Sequence, residues 1–266
     1  MKLLILTHCY PPDGGQFIKV RADGLGATVL NMARPLGLSS FWKFLRKSIA
    51  QSRNHELMEA HWLYPAGLAA LIAYKITGTP YRVYCHGTDV IMAERSWFWR
   101  MVAKSIAKNC KDKICFVSAF LARRAVVFLP ASANVVIDPM PVDNTIFHNR
   151  GEERTYDVGY IVKKNTGRYR EALRVVEDNP RSIQINFFEQ KTQEQLATIF
   201  NHCKVVILAS EKEGYGLILA EAAECGAKII GVDDGGIPEV VAKYNGQIFD
   251  GTAADLKTKL TALLAA

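Results

Sequence analysis

The chain has 266 residues and a formal net charge of +7, and 49% of its residues are hydrophobic while 22% are charged. This composition is that of a globular protein, and the length suffices for two domains of ordinary size. No apolar run reaches the ~20 residues that cross a bilayer. The six scattered cysteines show neither a CxxC pair nor zinc-ligand spacing, so we expect a cytosolic protein with reduced thiols.

Short apolar runs alternate with helical stretches in the first half of the chain. The opening, MKLLILTHCYPP, has no small-residue cleavage site, so it predicts a first strand rather than a signal peptide. The predicted strands are residues 3–7, 57–60, 81–85, 113–117 and 135–137, with helices such as 66–76 and 96–109 between them. Strands that alternate with helices indicate a parallel sheet of the doubly wound type.

A second series of the same kind follows a polar segment, HNRGEE, at residues 148–153. Its predicted strands are 157–162, 183–187, 205–208, 228–231 and 247–249, and its predicted helices are 168–177, 193–201, 217–225 and 237–242. The polar segment is the predicted linker, so the sequence predicts two Rossmann-like α/β domains, at residues 1–150 and 151–266. Because ligands of open α/β sheets bind at the carboxyl ends of the strands, we expect the domains to face each other across a ligand cleft.

The segment EGYGLILAE, residues 213–221, carries the most specific pattern in the chain. Gly214 and Gly216 let the backbone turn sharply and approach a ligand closely. A helical pattern begins at Leu217, and the free N–H groups at Leu217 and Ile218 favour an anion such as a diphosphate. The segment therefore predicts a loop and a helix start that bind phosphate.

Two carboxylates, Glu213 and Glu221, stand at the ends of this segment. Glu221 falls roughly one to two turns into the predicted helix, near enough for a ribose hydroxyl, while Glu213 stays on the loop. One acid for the ribose and another for the group beyond the phosphates is the layout that a nucleotide sugar needs. By themselves, two glutamates at this spacing are typical of a solvated helix face.

The residues around the segment extend the pattern. They read SEKEGYGLILAEAAECGAKIIGVDDGGIPEVV and resemble the C-terminal domain of the retaining GT-B glycosyltransferases, glycosyltransferase family four (glycosyl transferases group 1). The family signature consists of two Glu residues separated by seven others, then a small-residue helix, a buried strand and a Gly-Gly-x-Pro-Glu turn. The turn falls here at residues 235–239. The resemblance implies a GT-B fold and transfer of a sugar, with retention at the anomeric carbon, from a UDP- or GDP-linked donor to a glycan or lipid-linked acceptor.

The resemblance also assigns roles to two loops of the first domain. The loop PPDGG, which ends at Gly14 and Gly15, matches a family loop that approaches the donor diphosphate, although it is one residue shorter here. His86, within HGTD, matches a histidine that lies near the transferred sugar. The alternatives are an ordinary turn at the glycines, a structural histidine, and an Asp89 that only caps the following helix.

The second domain departs from the family at the position of its cations. Relatives carry Gly-Arg and, several residues later, a Lys, and these two cations neutralise the diphosphate of the leaving nucleotide. Tyr160 stands here at the Arg position and Asn165 at the Lys position. Lys163, Lys164 or Arg168 supplies the charge if the loop is shifted, and otherwise these residues form a basic solvated loop.

The resemblance thus implies a full set of site residues. The implied catalytic residues are Glu213, which would stabilise positive charge at the anomeric carbon, and His86, which would contact a sugar hydroxyl. The implied donor-binding residues are Gly14, Gly15, Lys163, Lys164, Arg168, Gly214, Tyr215, Gly216, Leu217, Ile218 and Glu221. No metal or other cofactor is implied, because members of this fold use protein cations and helix ends in its place and the chain has no Asp-x-Asp motif.

Length is a second departure from the family. Relatives have a long first helix and a second strand before the strand at 57–60, and a further strand with a glycine-rich turn after the helix at 168–177, and much of both regions is missing here. The chain also stops soon after Leu264, without the long tail that in relatives crosses back to the first domain. We therefore predict that both domains are abridged. The alternative function is that of a non-catalytic, degenerate GT-B protein that binds a nucleotide sugar or a partner subunit.

Charge is unevenly distributed between the two halves. Residues 1–150 carry 19 basic and 9 acidic side chains, whereas residues 151–266 carry 14 and 17. The basic half has two aromatic-basic stretches, FWKFLRK at 41–47 and WFWR at 97–100, which suit peripheral contact with an anionic membrane unless their aromatic residues belong to the core. The expected location is therefore the cytoplasm, including the inner face of the membrane. A further alternative function, the modification of DNA, is supported only by the positive charge of the first half. Because the chain has no nucleic-acid motif, we do not expect nucleic acid as a partner.

Overall fold

The computed structural model describes residues 1–11, 14–32, 34–186 and 191–265, with Lys164 described through its backbone alone. Its contacts divide the chain into two units, Met1–Pro141 and Val142–Ala266. The predicted linker at 148–153 lies inside the second unit. The buried ring of Phe147 lies 6.3 Å from that of Phe200, and the Arg150 N–H donates to Asn201 Oδ1 at 2.8 Å. The chain therefore passes between the units earlier than the sequence suggests.

The first unit is built on one parallel sheet of six strands. The strands are β1 (Leu3–Thr7), β2 (Thr28–Asn31), β3 (Leu57–His61), β4 (Tyr81–Cys85), β5 (Ile114–Phe116) and β6 (Val135–Ile137). The helices are α1 (Gln16–Leu25), α2 (Leu38–Ser52), α3 (Leu68–Thr77), α4 (Thr88–Arg95), α5 (Trp97–Asn109) and α6 (Ala119–Arg124). All five residues of β1 are buried, as expected for an apolar strand inside a parallel sheet.

The strand order of the first unit is β2-β1-β3-β4-β5-β6. From β1 the chain crosses to β2 on one side and then to β3 on the other, so the order reverses between β1 and β3. Ligands of doubly wound sheets bind outside the carboxyl ends of the strands at such a point. The loop with Gly14 and Gly15 follows β1, and His86 follows β4.

The second unit repeats this plan with a parallel sheet of its own. Its strands are β7 (Tyr156–Val162), β8 (Ser182–Asn186), β9 (Cys203–Leu208), β10 (Lys228–Val232) and β11 (Gln247–Phe249). Its helices are α7 (Arg170–Glu177), α8 (Gln193–His202), α9 (Leu217–Glu224), α10 (Ile237–Lys243) and α11 (Ala253–Ala265). Within the described residues the sheet has five strands in the order β11-β10-β9-β7-β8, which is the five-stranded form of the doubly wound order. A strand, β8, does follow α7, and the abridged second domain stays a prediction.

The sequence predicts most strand bounds closely. β1, β4, β6 and β11 have the predicted bounds, and the other predicted strands differ from the observed ones by one or two residues at an end. The last residue of the strand predicted at 183–187 lies outside the described residues. Local apolar runs therefore suffice to find the buried strands of both sheets.

One prediction about the first domain was wrong, because the second strand is present. β2 pairs with β1 in parallel, and α1 leads into it. Only Leu30 of its four residues is buried, since β2 lies at the edge of the sheet, so the strand has no apolar run that would reveal it. The region is shortened rather than missing.

Two observations concern the surface of the protein. No helix in the described part of the chain is both long and apolar enough to cross a bilayer. In the aromatic-basic stretches, Phe41 and Phe44 are core residues, whereas Trp42, Trp97 and Phe98 have 60%, 74% and 58% of their surface exposed. The core therefore accounts for only part of these aromatic residues.

Candidate active site

The order of the second sheet reverses between β7 and β9, and two charged side chains meet at the carboxyl ends of these strands. Lys163 directly follows β7, and its Nζ lies 2.8 Å from Glu213 Oε2. The hydroxyl of Ser210, which follows β9, donates to the same carboxylate oxygen at 3.0 Å. The structure thus joins Glu213 to one of the three cations that the sequence leaves open, at the place where doubly wound sheets bind ligands.

The loop that carries Glu213 is held from two sides by backbone hydrogen bonds. On one side, the Glu211 N–H donates to Asn165 O at 2.9 Å. On the other, the Gly236 N–H donates to Glu213 O at 2.8 Å. The Lys212 N–H also donates to Asp234 Oδ1 at 3.0 Å. The loop of Glu213 is therefore held both by a segment distant in the sequence, at Asn165, and by the nearby Gly-Gly turn.

The Gly-Gly pair of the predicted turn allows this close packing. Gly235 has a φ of 63°, and a Cβ there would lie 2.5 Å from Glu213 O. A Cβ at Gly236 would lie 2.3 Å from Gly214 O. The EGYG and GGIPE motifs are therefore two parts of one packed structure, and side chains at 235 and 236 would push them apart.

Helix α9 begins at the end of the same loop. Gly216 precedes it in the left-handed region, with a φ of 93°, and supplies no side-chain cap. In the first turn of a helix the N–H groups, here those of Leu217 and Ile218, have no acceptor within the helix and can bind another acceptor, as the phosphate prediction requires. The ring of Tyr215, another predicted donor-binding residue, is 7% exposed and packs inside the unit.

Glu221 lies on the helix that starts at this anion-binding end. Its side chain is half-buried, and burial raises its pKa to about 8, while the positive charge of Lys163 opposes the rise. At neutral pH much of the Glu221 carboxyl is therefore protonated, so it can both donate and accept hydrogen bonds. The influence of Lys163 on Glu221 also places the two predicted donor-binding groups in one electrostatic environment.

The remaining cation candidates have other surroundings. Arg168 is exposed, and its guanidinium lies 5.5 Å from the centre of the Tyr169 ring. The side chain of Lys164 lies outside the described residues. Tyr160, which stands at the family Arg position, donates to Gln184 Oε1 at 3.1 Å. Of the candidates whose side chains are described, Lys163 is therefore the one beside Glu213.

The glycine loop of the first unit folds back on the end of β1. Gly14 and Gly15 have φ values of 112° and 70°, and a Cβ at Gly15 would lie 2.2 Å from Cys9 O. Pro12 and Asp13 of the predicted PPDGG loop lie outside the described residues. The glycines are thus required by the turn itself, and their approach to a diphosphate stays a prediction.

His86 lies in an aromatic cluster at the end of β4. Its ring centre is 4.3 Å from Trp62 and 5.3 Å from Phe17. Trp62 has a φ of 70°, which is strained for a bulky residue and is a feature often found at functional sites. Asp89 accepts hydrogen bonds from Gly87 N at 2.9 Å and Val90 N at 3.0 Å, the local role that the sequence offers as its alternative.

Sequence reasoning missed the partners of His86. His86 Nε2 lies 3.0 Å from His61 Nδ1, and His61 Nε2 lies 3.0 Å from Glu59 Oε1. Both partners are fully buried on β3. A signal was available, because the strand LMEAH places a Glu and a His two residues apart, hence on one face of an otherwise apolar strand.

An apolar cavity of about 480 Å³ lies beside this cluster, within the first unit. Trp62, Tyr64 and Trp99 contribute aromatic walls, and His8 and Asp89 are among its few polar lining residues. His8 Nδ1 is buried and has no hydrogen-bond partner among the described residues. Volume and lining are those of a small-molecule site.

Two doubly wound parallel sheets, each with candidate binding groups at the carboxyl ends of its strands, have the architecture of the GT-B fold. Sucrose-phosphate synthase from Thermosynechococcus elongatus matches 100% of the chain and 90% of its own length, with a TM-score of 0.77 at 15% identity. The Anabaena protein HepE in complex with UDP-glucose matches 98% of the chain and 89% of its own, with a TM-score of 0.74 at 14% identity. These likenesses confirm the predicted GT-B fold.

The sequence of the C-terminal part adds a family match: residues 171–266 match the family described as glycosyl transferases group 1. An uncharacterized glycosyltransferase of Methanocaldococcus jannaschii is 23% identical over 82% of the chain. N-acetyl-alpha-D-glucosaminyl L-malate synthase of Bacillus anthracis is 22% identical over 73% of the chain. The chain spans 68% and 60% of the length of these two relatives. The suspected relationship to glycosyltransferases is confirmed, while family four and retention stay predictions.

Proposed function

We propose that the protein transfers a sugar from a UDP- or GDP-linked donor to a glycan or lipid-linked acceptor, with retention at the anomeric carbon. The observation that carries the proposal is the Lys163–Glu213 pair beside the start of α9. A cation, a carboxylate and uncapped helix N–H groups in one place provide what a nucleotide sugar requires. The names of two matching proteins, a glucosaminyl malate synthase and a protein bound to UDP-glucose, support the same class of reaction.

The proposed donor site distributes the donor over one loop and one helix. The N–H groups of Leu217 and Ile218 bind diphosphate oxygens, and Glu221 binds the ribose. Lys163 neutralises the charge that develops on the diphosphate as the nucleotide leaves, because an uncompensated diphosphate is a poor leaving group. Ser210 and Lys163 hold the Glu213 carboxylate, which stabilises positive charge at the anomeric carbon.

The first unit contributes two further groups to the proposal, both by the family resemblance. Gly14 and Gly15 approach the diphosphate, and His86 contacts a sugar hydroxyl. No metal takes part, because Lys163 and the helix start supply the positive charge that a metal would otherwise provide. Addition of a chelator should therefore leave turnover unchanged, and a loss of turnover that Mg²⁺ or Mn²⁺ restores would contradict this part of the proposal.

The apolar cavity of the first unit favours a lipid-linked acceptor over a free glycan. A second apolar pocket, of about 380 Å³, shares Val102 of α5 with the cavity beside His86. Together they offer an extended apolar surface, which suits a hydrocarbon chain better than a sugar. The exposed side chains of Trp97 and Phe98 continue this surface outward.

The same exposed aromatics support peripheral contact with an anionic membrane. Trp42 is exposed on α2 beside the exposed Lys43, and Trp97 opens α5, whose Lys104 is also exposed. Exposed aromatic and basic side chains of this kind suit an interface with anionic lipid. Co-sedimentation with phosphatidylglycerol vesicles but not phosphatidylcholine vesicles is the expected result, and the double variant Trp42→Ser/Trp97→Ser should reduce it. Equal behaviour of the two vesicle types would contradict the contact.

The first test of the function is incubation with a panel of UDP-, GDP- and ADP-sugars, with and without a lipid extract, followed by measurement of nucleotide release. We expect release from one UDP- or GDP-sugar, increased by the lipid extract. The anomeric configuration of the product, measured by NMR, then tests retention. Release increased by a free glycan but not by lipid would contradict the lipid-linked acceptor, and an inverted product would contradict retention.

The alternative function is that of a non-catalytic GT-B protein that binds a nucleotide sugar or a partner subunit. It is favoured by Tyr160 and Asn165, whose side chains replace the family cations and bond to neighbouring residues of the unit. The same panel separates the two functions. Thermal stabilisation by a nucleotide without release from any donor would support the alternative, and absence of both would point to a degenerate scaffold.

A further inference from the structure

A ladder of polar side chains runs inside the first unit between two neighbouring strands. Glu59 and His61 lie on the same face of β3, and register pairs them with Arg82 and Tyr84 of β4. His86 continues the same alternation just beyond β4. Five polar side chains on one face of two central strands are costly to bury, so their arrangement needs an explanation beyond packing.

At the buried end of the ladder, the negative charge of the Glu59 carboxylate is balanced by two arginines. Arg21 Nε donates to Glu59 Oε1 and Arg82 Nε donates to Oε2, each at 2.7 Å. Burial alone would raise the pKa of Glu59, but hydrogen bonds from His61 and Arg21 together with their charges lower it to about 2. Glu59 is therefore ionised throughout the physiological range and can only accept hydrogen bonds.

This carboxylate fixes which nitrogen of His61 carries the proton. His61 Nε2 lies 3.0 Å from Glu59 Oε1, so Nε2 must be the donor. Two guanidinium groups already balance Glu59, and complete burial lowers the pKa of His61, so the ring is neutral. A neutral ring with a proton on Nε2 has a bare Nδ1, which can only accept.

The same donor and acceptor argument applies to His86. His86 Nε2 lies 3.0 Å from His61 Nδ1, so His86 must donate from Nε2. Burial, reinforced by His61, keeps the pKa of His86 well below its usual value, and the ring is neutral. Its Nδ1 therefore carries no proton, and among the described residues this atom has no hydrogen-bond partner.

We propose that Glu59 and His61 are positioning residues that hold His86 as the Nε2-protonated tautomer, so that its bare Nδ1 accepts a hydrogen bond from a hydroxyl of the bound sugar or acceptor. The hydrogen bond to that hydroxyl rests on the proposed function, whereas the assignment of the His86 tautomer is independent of it. Trp62 and Phe17 keep the ring plane fixed, since both contact its faces or edges. Glu59, buried and distant from solvent, acts on the ligand only through two histidines.

The opposite placement of the protons would also give a consistent set of hydrogen bonds. If His61 were an imidazolium beside Glu59, both of its nitrogens would donate, and His86 would accept at Nε2 and carry its proton on Nδ1. That state would present a donor, not an acceptor, to the ligand. The two arrangements differ in the ring ¹⁵N shifts and couplings of His61 and His86.

The test is ¹⁵N ring NMR of histidine-labelled protein without any ligand, with assignment by the variant His86→Gln. We expect a bare Nδ1 and a protonated Nε2 on His86, unchanged between pH 6 and 8. A protonated Nδ1 on His86, or an imidazolium signal from His61 in that range, would overturn the proposal. This result does not depend on turnover, so a failure of the proposed function leaves it intact.

Variants at His61 then test whether His61 fixes the tautomer of His86. His61→Phe keeps an aromatic ring against Tyr84 but removes both nitrogens, so His86 should show averaged shifts of two tautomers. His61→Gln offers an amide N–H to Glu59 and an amide oxygen to His86, so the original tautomer should persist. His55→Phe is the control, because His55 bonds to the backbone of Gln51 and should leave His86 unchanged. Identical His86 spectra in all three variants would overturn the positioning role.

Turnover supplies a second readout once a donor is known. His61→Phe should lower kcat about tenfold with little change in donor KM, as expected for loss of one oriented hydrogen bond, and His61→Gln should restore most of it. A fixed tautomer in wild-type protein together with full kcat in His61→Phe would show that the tautomer has no role in catalysis, and would overturn that part of the proposal.

Discussion

The two units place their candidate functional groups in opposite ways. In the second unit the loop of Glu213, the start of α9 and the Gly-Gly turn come from one short stretch of chain, which packs against itself. In the first unit the groups around His86 come from α1, β3 and β4, and side-chain hydrogen bonds join them. A site of the first kind leaves a motif in the sequence, whereas a site of the second kind leaves isolated polar residues in apolar strands.

The largest effect is expected from Glu213, which the motif alone identifies. Glu213→Ala should reduce turnover about 100- to 1000-fold, because stabilisation of developing charge is lost, while nucleotide affinity changes less than about threefold. Nucleotide release and calorimetric titration measure the two quantities. Glu211→Ala, on the same loop, is the control and should retain turnover. A matching loss of affinity in Glu213→Ala would instead assign Glu213 to ground-state binding.

The network of the first unit should show itself mainly in stability. Arg82→Gln leaves the buried Glu59 with one guanidinium fewer, and we expect a loss of about 3 kcal/mol in the free energy of unfolding. Lys19→Gln removes the exposed pair with Asp23 and should cost less than about 1 kcal/mol. Denaturant unfolding compares the two variants. Equal small losses would mean that Glu59 does not depend on Arg82.

The fold and the turn at Glu213 could be predicted from sequence for a common physical reason. Buried parallel strands are apolar runs, and the loop of Glu213 depends on glycines at fixed spacing, so both leave local patterns. β2 was not predicted, because an edge strand with one buried residue has no apolar run. The sequence also did not predict that Lys163 contacts Glu213, because this contact depends on the path of the chain between β7 and α7.

The partners of His86 could be predicted only in outline. Alternation places Glu59 and His61 on one face of β3, but the strand that lies next to them follows from the sheet order. Arg21 reaches the same carboxylate from α1, which no pattern in the sequence relates to β3. Side-chain networks between distant elements therefore require the tertiary structure.

An effect of similar size is expected at Gly235, where the two motifs of the second unit touch. Gly235→Ala combines a φ of 63° with a Cβ 2.5 Å from Glu213 O, so it should cost about 3 kcal/mol and also lower turnover. Gly151→Ala has a similar φ of 69° but open space, so it should cost about 1 kcal/mol and leave turnover unchanged. Equal losses in the two variants would show that the motifs do not depend on each other.

The smallest effect concerns Glu221 and is visible only as a dependence on pH. Its pKa is raised to about 8 in the folded protein against an ordinary 4.5, so wild-type stability from this group is present below pH 4.5 and is lost as pH rises toward 8. Glu221→Gln does not ionise. It should therefore match wild type near pH 4.5 and exceed it by about 1–3 kcal/mol at pH 8.

Denaturant unfolding at several pH values measures this difference. Glu177→Gln, at an exposed position of α7, is the control and should differ from wild type by the same small amount at every pH. A constant difference for Glu221→Gln would mean that the Glu221 carboxyl is solvated, and it would remove the electrostatic link between Glu221 and Lys163.

The central claim is that Lys163 takes the place of the family cations and makes this chain an active transferase. The most direct measurement is nucleotide release from the preferred donor by wild type, Lys163→Met and Arg168→Met. We expect Lys163→Met to lose about 100-fold in turnover and Arg168→Met to stay within about twofold of wild type. Full turnover in Lys163→Met, with the loss in Arg168→Met instead, would contradict the claim.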